Sequence, residues 1–127
     1  IKDNDFSQIR VHEYGLSDKG EMLSFSSDIF GGGTVRSDDG DIKLEVRTLD
    51  SLYNSGDIER VDFIKADIEG MEPSLLRGAQ EVIGKFKPKL AICTYHDPAH
   101  KDLLTQIITD IRDDYTFLYS DYKLYAW

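Results

Sequence analysis

The sequence predicts one α/β domain. A β-rich first part, residues 1–57, precedes a strand–helix–strand–helix–hairpin unit over residues 58–127. Three observations lead there. The apolar runs at 61–68 and 87–96 carry β-branched and aromatic residues and are too short for helices. Each is followed by a segment whose apolar residues recur at helical spacing. Ahead of them, the chain alternates apolar and polar side chains, as half-buried antiparallel strands do. Strands alternating with helices imply right-handed crossovers and a parallel sheet, here with a β meander before it and an antiparallel hairpin after it.

In chain order, IRVHEYGL (9–16) reads as a strand with Ile9 and Val11 on one side, and Gly15, Asp18 and Gly20 supply the turn after it. EMLSFSS (21–27) sets Leu23 and Phe25 against Met22, Ser24 and Ser26. Residues 28–41 are rich in Gly, Asp and Ser and read as loop. IKLEVRTLDSL (42–52) turns Ile42, Leu44 and Val46 inward, and Thr48 or Asp50 caps a short helical turn before the polar break NSGD (54–57). VDFIKADIEGMEP (61–73) reads as a strand buried on both faces. Pro73 and Ser74 then open a helix that buries Leu75, Leu76, Ala79, Val82 and Ile83, and Gly84 closes it as a left-handed cap. KPKLAICTYH (87–96) is the next buried strand, with Pro88 at its start. Asp97 caps and Pro98 begins a second helix around Leu103, Leu104, Ile107, Ile108 and Ile111. The aromatic segment 115–127 makes the hairpin, turning at Ser120–Asp121.

Length and composition narrow the function. The 127 residues can bury a real core. A net charge of −9, spread along the chain, argues against nucleic acid or an anionic membrane as partner, because phosphate binding relies on Lys and Arg clusters. No apolar run approaches the length that spans a bilayer, and no segment of these residues reads as a signal peptide. The single cysteine, Cys93, rules out a disulfide framework within the chain and fits a reducing, cytoplasmic compartment.

The chemistry gathers at residues 67–70. Period two in a strand puts Asp67 and Glu69 on one side, with Gly70 behind them to supply a positive φ angle or a close backbone approach. An open α/β sheet presents such a strand end at its ligand-binding edge. If the strands 61–68 and 89–96 are neighbours, His96 arrives beside the two acids. Imidazole is the side chain that exchanges protons near neutral pH. Blander readings stand beside these. Asp67 could bond a nearby loop, His96 could cap the following helix, and Glu69 and Glu72 could accept from free N–H groups at a helix start. Asp67, Glu69 and His96 also have the ligand types for a divalent metal, although their spacing matches no recognised metal motif. His12 and His100 read as surface residues.

The segments KADIEGMEPSLLRGAQEVI and KPKLAICTYH, preceded by GLSDKGEMLSF and VRTLDSL, resemble the FkbM-type methyltransferases over most of residues 11–96. The resemblance implies a partial Rossmann-like class I fold, S-adenosylmethionine as cofactor, and O-methylation of a hydroxyl on a sugar or secondary metabolite. For that chemistry Asp67, Glu69 and His96, already gathered by the strand ends, are the candidate catalytic residues, and the resemblance implies Gly15, Leu16, Ser17 and Asp18, with Asp67, as cofactor-binding residues. The family's front end, a strand with a Gly-rich loop and a second acid-tipped strand, is absent. Gly31–Gly33 lack the third glycine of that loop and follow no buried strand. With the start at Ile1, the chain reads as the carboxyl-terminal part of a longer protein. It should expose an apolar sheet edge between the 9–16 and 61–68 strands or cover that edge as a homodimer. Calorimetry on these 127 residues alone should find weak S-adenosylmethionine binding or none. The rivals are a catalytically silent binding or assembly module and a divalent-metal-dependent enzyme of another kind.

Overall fold

The computed structural model describes residues 7–27 and 34–127, and these form two four-stranded sheets and four helices. The first sheet contains β1 (Gly15–Leu16), β2 (Glu21–Ser27), β3 (Thr34–Arg36) and β4 (Ile42–Arg47) in the order β1-β4-β2-β3. Strand β2 pairs antiparallel with β3 and with β4, while β1 runs parallel to β4. This is not a meander, because β4 crosses β2 and pairs on its far side. Gly40 permits the crossing: a Cβ there would lie 2.2 Å from the Phe25 carbonyl carbon. Two further expectations give way in this sheet. Residues 9–14 form no strand, and Ile9 and Val11 are exposed, so only Gly15 and Leu16 find a pairing partner. The expected loop 28–41 contains β3. The part of it at residues 28–33, with Gly31–Gly33, lies outside the described residues, as does Ile1.

A short helix α1 (Leu49–Asn54) follows, with Ser51 N–H donating to the Thr48 hydroxyl at 2.9 Å as its cap. The second sheet holds β5 (Phe63–Ala66), β6 (Lys89–Cys93), β7 (Phe117–Tyr119) and β8 (Lys123–Ala126), ordered β5-β6-β8-β7. Strands β5 and β6 are parallel, and β8 is antiparallel to both β6 and β7. It follows that β7 runs with β6. Helix α4 (His100–Ile111) therefore makes a second crossover, and the hairpin turns where the sequence indicated.

Helices α2 (Glu72–Arg77) and α3 (Gln80–Phe86) stand in place of the one helix expected after Pro73. Contacts from elsewhere break it. A Cβ on Gly78 would lie 1.9 Å from the Ser17 carbonyl oxygen, so the turn after β1 packs on bare backbone. Both Asp50 carboxylate oxygens accept from the first N–H groups of α3, Glu81 and Val82, each at 3.0 Å. The helix also runs past Gly84, and its left-handed cap is Lys87, φ 47°. Similarly, α4 begins two residues beyond Pro98, after a turn in which Asp97 accepts from Ala99 N–H at 2.7 Å.

The core lies between the helices and one face of the second sheet. Leu76, Ile83, Ile92, Leu104, Ile108 and Leu124 have no exposed surface, and each contributes on the order of 1.5–3 kcal/mol. Strand β5 is buried on one face, through Ile64 and Ala66, instead of the two expected. As the edge strand it leaves Phe63 and Lys65 exposed. Among the described residues no helix is long and apolar enough to cross a membrane.

Candidate active site

The second sheet delivers two chain ends to one rim. Strand β5 stops at Ala66 and β6 at Cys93, side by side and parallel, so Asp67 and the Tyr95–His96 pair emerge together. The Tyr95 hydroxyl donates to Asp67 Oδ1 at 2.8 Å, and His96 Nε2 lies 3.2 Å from the same oxygen. Glu69 Oε2 is 3.4 Å from the other ring nitrogen, Nδ1. The three residues singled out from sequence, Asp67, Glu69 and His96, thus come together.

They meet by a different route from the one expected. The strand ends before Asp67, so period two does not align the acids. Glu69 instead holds a left-handed backbone, φ 54°, with Gly70 beside it at φ 94°. That conformation costs a side-chain-bearing residue about 1 kcal/mol, and it swings the Glu69 carboxylate onto the imidazole. Strain of this kind at a cluster of titratable groups is common at working sites.

A third carboxylate was read from sequence only as a helix-start acceptor. Glu72 is fully buried, with Oε1 3.5 Å from His96 Nε2. Rather than capping a helix, it accepts from Ile68 N–H at 2.9 Å. Behind it, His100 is also buried and not at the surface, with Nδ1 3.8 Å from Glu72 Oε2. The usable signal was the spacing His96-x-x-x-His100 after the strand, which the tight turn at 97–99 brings round to Glu72. His12 is exposed, as expected.

Electrostatically, the hydrogen bond from Tyr95 holds the Asp67 carboxyl below its ordinary range, helped by His96 and the Cys93 thiol and opposed by desolvation. The same bond pushes the Tyr95 hydroxyl up to about 12. Burial raises the Cys93 thiol, which is therefore no nucleophile near neutral pH.

Asp67 and Glu69 also line a cleft of about 630 Å³ that opens between the two sheets. Gly15 and Leu16 form part of its opposite wall, with Leu44, Val46, Met71 and Leu75 as apolar lining. Ser17 and Asp18 do not line it. Ser17 is buried, its N–H donates to Arg47 carbonyl at 2.9 Å, and its hydroxyl donates to Asp18 at 3.1 Å.

A family model described as the methyltransferase FkbM domain matches residues 2–119. The crystal structure of methyltransferase FkbM from Methylobacillus flagellatus KT is similar, with 32% identity and a TM-score of 0.70. That likeness covers 98% of this chain and 30% of the solved one, so the chain spans under a third of that protein's length. No curated protein matches.

Proposed function

The chain belongs to the FkbM methyltransferase family, and on that premise we propose that it works as part of an S-adenosylmethionine-dependent O-methyltransferase whose acceptor is a hydroxyl of a sugar or secondary metabolite. On this reading the second sheet is the corresponding part of a Rossmann-like fold. The observation that carries the reading is the convergence of Asp67, Glu69 and His96 at two parallel strand ends, with both acids lining one cleft and the imidazole in contact with each of them.

The lining suits the cofactor's chemistry. Apolar walls at Leu44, Val46 and Met71 accept a flat ring, and the carboxylates of Asp67 and Glu69 favour a sulfonium cation. Gly15, Leu16, Asp67 and Glu69 would hold it. When bound, the cofactor supplies an electrophilic methyl group for in-line displacement.

What remains for the protein is alignment and one proton. Holding the acceptor oxygen in line is the larger contribution, up to about 7–11 kcal/mol for well-oriented groups. Asp67 is exposed to the cleft and accepts the hydrogen bond of the acceptor hydroxyl, and its Oδ1 leads to His96 Nε2. The proton released on methyl transfer passes along that pair. Such base assistance adds roughly 10²–10⁴-fold. Glu69 holds Nδ1 and so keeps Nε2 turned toward Asp67.

The test is transfer of labelled methyl from S-adenosylmethionine, by the full-length protein, to a panel of sugars and polyketides, with the modified atom located by NMR. Label on an acceptor oxygen is expected. Label only on nitrogen or carbon, or on no acceptor in the panel, overturns the reading.

A further inference from the structure

Around one imidazole the fold gathers three carboxylates. Asp67 Oδ1 and Glu72 Oε1 lie 3.2 and 3.5 Å from His96 Nε2, and Glu69 Oε2 lies 3.4 Å from Nδ1. Among the described residues no lysine or arginine forms an ion pair with any of the three. One carboxylate, Glu72, is fully buried. Among the described residues its Oε2 has no hydrogen-bond partner, nor has Nδ1 of the buried His100 that faces it. Burying an unpaired carboxylate costs several kcal/mol unless a positive charge compensates it.

From this geometry we infer that Asp67, Glu72 and His96 form a divalent-cation site. One oxygen of each acid and one ring nitrogen lie within 4.8 Å of one another. Donors about 2.1 Å from a shared ion stand roughly 3.0–3.4 Å apart at right-angle or tetrahedral geometry. The separations of 3.2 and 3.5 Å from Nε2 stand close to that range.

The surrounding groups support the same assignment. A metal-binding histidine commonly gives its second ring N–H to a carboxylate, which fixes the tautomer and turns the lone pair toward the metal. Glu69 at Nδ1 occupies that position. Ile68 N–H orients one Glu72 oxygen, and His100 stands behind the other. Two carboxylates and an imidazole, with no thiolate, suit Mn²⁺ or Zn²⁺ better than soft metals. An ion and a proton exclude each other at Nε2, so a bound ion would displace the imidazole from the proton path. Cation binding does not depend on the methyl-transfer reading.

The experiment is calorimetric titration of the metal-stripped protein with Mn²⁺ and, separately, Zn²⁺, together with electron paramagnetic resonance of bound Mn²⁺. One ion per chain is expected, with a nitrogen coupling that vanishes in His96→Ala. Glu72→Gln, which can still accept from Ile68 N–H, should weaken binding at least tenfold. Glu69→Gln, a change to a positioning residue, should weaken it about tenfold while the nitrogen coupling remains. Because Glu72 is buried, Asp67→Asn at the exposed rim provides a second variant, and circular dichroism checks that each variant is folded. Absence of saturable binding at millimolar Mn²⁺ and Zn²⁺ overturns the inference. So does affinity unchanged in folded His96→Ala and Asp67→Asn. Either of these binding results would overturn the cation site and leave the proposed methyl transfer standing.

Discussion

At the scale of single residues, Asp67 is tied to two aromatic partners, and this gives a signed pH dependence. Its folded-state pKa lies below the ordinary value of 3.8, chiefly through the Tyr95 hydroxyl. The stabilisation is therefore present above pH 3.8 and is lost as pH falls through the lower folded value. Tyr95→Phe removes the largest cause. We expect the Asp67 carboxyl carbon to titrate at higher pH by NMR and the acid-unfolding midpoint to rise. An unmoved titration would contradict the bond. Conversely, the Tyr95 phenol, raised to about 12, favours the fold below its ordinary value of 10.0, an advantage lost as pH climbs through about 12. Tyr115 is pushed up to about 12 as well, by burial. An ultraviolet phenolate titration should show both ionising late, and Tyr95→Phe should remove one of the two. Asp67 and His96 were legible as candidates because strand ends announce themselves by apolar runs that stop in polar residues, whereas Glu69 reaches the imidazole through a left-handed turn and not through strand periodicity. Glu72 and His100 were not legible as such. Their place beside His96 is fixed by the left-handed turn at Glu69 and the tight turn at 97–99, and neither appears in an apolar periodicity.

At the scale of elements, the apolar spacing of residues 75–83 was continuous, yet the structure divides it into two helices. Long-range contacts decide this. Asp50, which reads locally as a cap for its own helix, accepts from Glu81 and Val82 across 31 and 32 residues. Asp50→Ala leaves two N–H groups of α3 without that partner and should cost about 1–2 kcal/mol in denaturant unfolding. The glycines separate in the same way. Gly78→Ala sets a methyl group against the Ser17 backbone and should destabilise by at least about 2 kcal/mol. Gly84→Ala, inside α3 with its nearest neighbour 3.9 Å away, should stabilise by roughly 0.5–1 kcal/mol. Equal effects at the two positions would contradict the packing of the β1 turn on α2. The same distant contacts explain why strand pairing in the first sheet escaped local reading. The segment 9–14 alternates adequately, but no described residue pairs with it as a strand, and β3 is only three residues long.

At the scale of the whole molecule, the alternation of strands with helical segments over residues 58–127 was readable, although the first helical segment divides into α2 and α3. The arrangement of the two sheets about the cleft was not, because it depends on which strand edges meet. The account rests on that arrangement: parallel β5 and β6 bring an acid pair to one wall of a cleft that Gly15 and Leu16 line opposite, with an imidazole in contact with both acids. The most direct test is the turnover of labelled methyl transfer by the full-length protein carrying His96→Ala, compared with the unsubstituted protein at the same pH. The account predicts a fall in kcat of about 10²–10⁴-fold with the fold intact by circular dichroism, and turnover equal to that of the unsubstituted protein would contradict it.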